Sequence, residues 1–141
     1  MPKIYLSPST QESNPYITGS GSEEYNMNRL ANAAAPENSG SVRGVLVFYY
    51  PTSAEGKRAA DLFAANLKRV YPLPDLVRTV STTALGEVRQ PKYPANLLEL
   101  GYHDNYADAA WVKNNMDAIA RELARSLTEY FGLLFIEPQP V

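Results

Sequence analysis

Residues 44–71 read GVLVFYYPTSAEGKRAADLFAANLKRVY, and the reading of this stretch decides the fold. Gly44 to Tyr50 is a nearly continuous apolar run, the strongest strand signal in the chain. Such a run fits a strand buried on both faces, with helices on each side. Pro51 and Thr52 end it, and Ser53 or Thr52 can cap a helix running to about Tyr71. Within that helix Ala59, Leu62, Phe63, Asn66, Leu67 and Val70 recur at intervals of three and four, with lysine and arginine in the last turn. Pro72 and Pro74 stop it.

Downstream, Leu76 to Ser81 reads as a weak strand and Thr83 to Arg89 as a short helical turn. Pro91 and Pro94 lead into PANLLELGYHDN, residues 94–105. Ala95 to Leu100 is a short apolar run bracketed by Pro94 and Gly101, the punctuation of a strand. At period two, Asn96, Leu98 and Leu100 share one face while Leu97, Glu99 and Gly101 share the other. A carboxylate set in such a run is desolvated with a raised pKa, held ionised by a cation or metal, or turned to water on an edge strand. Glu99 is therefore a candidate site residue. Past the strand come Tyr102, the only histidine His103, Asp104 and Asn105. Open α/β sheets put their sites just beyond the carboxyl ends of strands. Asp104 or Asn105 also serves as a cap for the next helix, and one histidine specifies no metal site by itself.

Asp108 to Phe131 reads as the last and longest helix, with a core stripe of Trp111, Val112, Met116, Ile119, Ala120, Leu123, Leu127 and Phe131. Gly132 closes it, and Leu133 to Ile136 is an apolar tail suited to pairing at a sheet edge. Upstream, Lys3 to Leu6 reads as a short buried strand and Ser7 to Ser22 as a long polar loop. Ser22 caps a helix from Glu23 to about Ala35, which PENSGS (36–41) breaks. Strands alternating with helices indicate an α/β sandwich with some parallel pairing.

Composition narrows the function classes. With 141 residues, 45% of them apolar and 20% charged, the chain fits one globular domain, residues 1–141, with 136–141 as a tail. A net charge of −2 argues against general nucleic-acid binding. The absence of cysteine removes disulfides, thiolate-ligated zinc and a thiol nucleophile. MPKIYLSPST is no secretory signal and no stretch is long enough to span a bilayer, so the expectation is a chain made soluble in the cytoplasm.

Read together, KIYLSPSTQESN (3–14), GSEEYNMNRLA (21–31), the segment leading into GVLVFYY, and PANLLELGYHDN with the helix after it resemble the zinc-dependent N-acetylmuramoyl-L-alanine amidases of phages and sporulating bacteria. The resemblance covers essentially the whole chain and is most specific around Glu99. It implies an α/β sheet of mixed or parallel strands flanked by helices, here with a shortened sheet. It also implies an endolysin-like peptidoglycan hydrolase that cuts the amide bond between muramic acid and the stem-peptide L-alanine. By the same resemblance, Glu99 is the catalytic glutamate that carries a proton from the zinc-bound water to the leaving amine, and Glu24 is the zinc-binding glutamate. Zinc chemistry suits such a reaction, because the metal acidifies water and polarises the amide carbonyl.

The family's other two ligands are histidines. Ser13 stands where the first is expected, and a serine hydroxyl is a poor zinc ligand beside imidazole. The second belongs to a His-Ser-Asn motif, but Leu30 and Ala31 precede Asn32 here, as though a strand–helix–strand portion were missing. His103 matches a non-ligand position and is the remaining substitute. A shortened sheet leaves strand edges to be closed by direct pairing, by a second copy or by the C-terminal tail. A second reading is a metal-free amidase-like module that binds wall fragments or a partner without hydrolysis. In either reading the place of action is the cell wall, and no nucleic-acid or membrane partner is expected.

Overall fold

The computed structural model describes residues 40–102 and 105–137. Several sequence expectations lie outside the described residues: the Lys3–Leu6 strand, the Ser7–Ser22 loop with Ser13, the Ser22-capped helix with Glu24, the pair His103 and Asp104, and the end of the tail. The chain divides into two compact units, one of residues Gly44–Leu100 with Asn115–Val141, the other of Met1–Arg43 with Gly101–Asn114.

The first of these is built on β1 (Val45–Tyr49), the centre of the GVLVFYY run. Among the described residues the sheet has three strands, with β2 (Val77–Ser81) and β3 (Asn96–Glu99) on either side of β1. β1 and β2 are parallel, and β3 runs antiparallel to β1. Parallel neighbours need a long crossover, which α1 (Ala54–Leu67) supplies. Direct pairing on both sides satisfies the backbone of β1, so of the three ways to close the sheet it is the one seen there. Gly44 precedes β1 at φ +135°, where a Cβ would stand 2.7 Å from the Leu76 carbonyl oxygen. Only glycine fits there.

The expectation of a strand buried on both faces is half right. Val45 and Val47 are fully buried, whereas Leu46, Phe48 and Tyr49 are only half-buried. Paired residues project from the same face of a sheet, so Val45, Val47, Val77, Leu98 and Asn96 share one face. That face lies under α1, because Asn96 Nδ2 donates to the Gly56 carbonyl at 2.9 Å. Leu46, Phe48, Val80, Leu97, Arg78 and Glu99 share the opposite face.

Ser53, not Thr52, caps α1: its Oγ accepts from the Gly56 amide at 3.0 Å. The helix ends at Leu67 rather than near Tyr71, since Arg69 and Val70 already bond to carbonyls three residues back and tighten the last turn before Pro72. A short α2 (Gly86–Arg89) precedes β3, as the sequence implied.

The single helix expected over Asp108–Phe131 is instead two, α3 (Tyr106–Asn114) and α4 (Met116–Tyr130). Asn115 separates them at φ −129° and ψ 22°, outside the helical well. The expected stripe shifts with the break. Met116 is 66% exposed and Ala120 is exposed, while Ile119, Glu122 and Ser126 are buried. α4 packs on α1 through a polar seam, in which Asn66 Nδ2 donates to Ser126 Oγ at 3.1 Å and to Glu129 Oε2 at 2.8 Å. Arg125 and Arg69 face the buried Glu122 at 3.1 and 3.7 Å, which compensates its charge.

Gly132 ends α4 as expected, at φ +66°. Its amide bonds to Glu129 and that of Leu133 to Thr128, the paired bonds of a Schellman cap. The tail does not pair at a sheet edge: Leu133 to Ile136 forms no strand, and Leu134 is 85% exposed. Glu137 is held instead by Arg125 and Arg121.

Candidate active site

Glu99 is the last residue of β3 and pairs with Leu46 near the start of β1. Because β3 runs against β1 and β2, the carboxyl end of β3 lies at the amino ends of the other two strands. The sequence rule that sites gather at the carboxyl ends of strands therefore holds for β3 alone. Glu99 is exposed, and among the described residues its carboxylate has no hydrogen bond or ion pair. Neighbouring protein nevertheless strips part of its water, and this desolvation raises its pKa above the ordinary 4.5. Of the alternatives open from sequence, the water-facing placement holds for the residue, and a raised pKa holds for the carboxyl. A carboxyl of this kind can exchange protons nearer neutrality than a free one.

Three residues earlier, Asn96 aims at the α1 side. Its Nδ2 donates to the Phe48 carbonyl at 3.2 Å and the Gly56 carbonyl at 2.9 Å, joining β3 to the end of β1 and to the first turn of α1. Alternation along the strand sets Asn96 on the face opposite Glu99 but points to no role for it. Asparagine on an apolar strand next to a glycine-bearing helix start is the signal that was there.

The unit containing α3 holds a second polar cluster. Asn105 is 8% exposed, and its Oδ1 accepts from the Ala107 and Asp108 amides at 3.0 and 3.1 Å while its Nδ2 donates to the Gly40 carbonyl at 2.7 Å. It is a helix cap, one of the roles the sequence offers it. Asp108 is fully buried, paired with Arg43 Nε at 3.0 Å and accepting from the Tyr102 amide at 3.3 Å. From the sequence it reads as the first residue of a helix. A first-turn acid is so common that nothing in the pattern marked it as buried.

Among the described residues, no three histidine, cysteine, aspartate or glutamate side chains come together to hold a metal ion. Glu24, Ser13 and His103 lie outside the described residues. The donor set can still be tested on the chain itself. The resemblance implies two histidines and one glutamate, and this sequence has one histidine and no cysteine to replace the other. The residues present do not fit that site within one chain.

Comparison with known proteins places this geometry. No curated protein sequence matches the chain. The fold is similar to the catalytic domain of the CD27L endolysin targeting Clostridia difficile, with a TM-score of 0.57 and 22% identity over 65% of this chain and 49% of that one. It is similar to the CwlD amidase from Clostridioides difficile, solved in complex with the GerS lipoprotein, with a TM-score of 0.61 and 16% identity over 90% and 71% of the two chains. AmiC2 of Nostoc punctiforme, an N-acetylmuramoyl-L-alanine amidase, gives a TM-score of 0.56 and 18% identity over 77% and 65%. The chain thus spans about half the length of the endolysin domain, and these likenesses speak for the fold. The sequence itself matches the family model described as N-acetylmuramoyl-L-alanine amidase over residues 31–129, a span that takes in both β1 and the Glu99 strand. On that match, the chain belongs to the N-acetylmuramoyl-L-alanine amidase family.

Proposed function

We propose that this chain is a peptidoglycan hydrolase of the amidase type, a single domain that cuts the amide bond between muramic acid and the stem-peptide L-alanine at the cell wall. The observation that carries this reading is the family match over residues 31–129, which includes Glu99. In this role Glu99 takes a proton from the attacking water and delivers it to the departing alanine amine. Its desolvated carboxyl supports that task, because a carrier must hold the proton and then release it within the working pH range. The family is generally zinc-dependent. Glu24 is the residue proposed for the metal, with His103 as substitute for the histidine that Ser13 replaces. Since the donor set of one chain does not make the family site, a second copy that completes the site belongs to the same proposal. No helix among the described residues is long and apolar enough to cross a membrane.

The test is to incubate purified protein with peptidoglycan sacculi, with and without added zinc, and to count newly exposed alanine amino termini. Zinc per chain and apparent mass are recorded on the same sample. The expected result is release that Glu99→Gln reduces by at least 100-fold, the scale of a lost general acid–base. Sacculus binding without release, unaffected by a chelator or by Glu99→Gln, would replace hydrolysis with the metal-free binding module.

A further inference from the structure

The register of the sheet places three residues in one row. Leu46 on β1 pairs with Arg78 on β2 and with Glu99 on β3. All three project from the face opposite α1, and strand spacing sets the Arg78 and Glu99 Cα atoms roughly 10 Å apart. Between and beside them the floor is apolar and half-buried, made by Leu46, Phe48, Val80 and Leu97.

Arg78 differs from the other described arginines. Arg43, Arg58, Arg69, Arg121 and Arg125 each meet a carboxylate, and Arg89 donates to the Thr83 carbonyl. Arg78 is exposed, and among the described residues its guanidinium has neither a hydrogen bond nor an ion pair, although Glu99 stands on the same row. An unpaired guanidinium offers a planar fork of donors that matches a carboxylate with two parallel hydrogen bonds.

We infer that Arg78 binds a carboxylate of the stem peptide, at the far end of a sheet row whose near end is Glu99. This rests on the amidase-type reading above and adds a specificity residue to it. Charge fixes the direction in which the ligand lies. Glu99 repels an anionic group, so the neutral amide sits at the β3 end and the carboxylate at the β2 end. The two Cα atoms stand roughly 10 Å apart, about three extended residues, and the long Arg78 side chain shortens that span to reach a carboxylate on the second stem residue. The apolar floor receives the methyl-bearing part between.

The test compares two synthetic ligands, muramoyl-L-alanyl-D-glutamate and its diamide, by isothermal titration to the full chain. Wild-type protein is expected to bind the diacid about tenfold more tightly than the diamide, the worth of one charge-assisted pair. Arg78→Gln should bring both ligands to the same affinity, Arg78→Lys should restore part of the preference, and Glu99→Gln should keep it. The exposed position makes Arg78→Gln compatible with folding, which circular dichroism checks. Equal binding of the two ligands by the wild type, or an unchanged preference in Arg78→Gln, overturns the assignment and leaves Arg78 a solvated surface cation. Such a result leaves the amidase reading standing. Binding of neither ligand, together with no release from sacculi, removes both.

Discussion

The two faces of the sheet carry nearly the same kind of residue and have opposite fates. On the α1 side Val45, Val47 and Val77 are at most 1% exposed, and the polar Asn96 is spent on two carbonyls. On the other side Leu46, Phe48, Val80 and Leu97 are half-buried, and the polar members Arg78 and Glu99 are exposed and unpaired among the described residues. Alternate residues of one apolar strand therefore serve different ends. The covered face gives its area to folding, and the half-open face leaves area and charge in contact with water.

Adjacent positions on β1 give the largest test of this contrast. Val47→Ala should cost about 2–3 kcal/mol in denaturant unfolding, from two lost methylenes and the cavity left behind. Leu46→Ala removes more atoms but should cost only about 1 kcal/mol, because the side chain is half in water already. An equal or reversed order would show that the second face is packed as tightly as the first, and the contrast would be lost.

The polar residues of β3 sharpen it at smaller scale. Asn96→Ala should cost about 1–2 kcal/mol, since it removes the donor to the Phe48 and Gly56 carbonyls. Glu99→Gln should behave in the opposite sense. Because the folded pKa of Glu99 is raised, the folded state holds the proton more tightly than the unfolded chain between 4.5 and the higher native value. The stability this contributes is complete below 4.5 and is lost as pH rises through the folded pKa. Glu99→Gln should therefore match the wild type in acid and gain on it as pH is raised, a small effect read from unfolding midpoints across pH 4–8. A variant that instead loses stability on going to neutral pH would mean that the ionised carboxylate has a favourable partner.

Much of this was legible from residues in a row. The apolar run at 44–50, the Ser53 cap, the short turn before β3, the Gly132 stop and the placing of Asn96 and Glu99 on opposite faces all depend on neighbours within a few positions. The helix over 108–131 was misread because its apolar spacing continues across Asn115, and nothing local forces the break there. Its inner side was misread too, since Glu122 and Ser126 are buried only because Asn66, Arg69 and Arg125 meet them. Asn105 and Asp108 became a buried cap and a buried ion-pair partner through Gly40 and Arg43, some 65 residues away in sequence.

By itself, then, the sequence determined where β1, β2, β3 and the start of α1 lie, which family the chain resembles, and that one histidine is too few for the family's metal site. These follow from local backbone preference and from residue chemistry, both of which are properties of the chain in any conformation. Tertiary structure decided that β3 runs against β1, which face α1 covers, and hence that Glu99 shares an open row with Arg78. Strand direction and face coverage depend on pairings between residues 32 to 53 positions apart, and alternation along one strand is the same whichever face the helix takes.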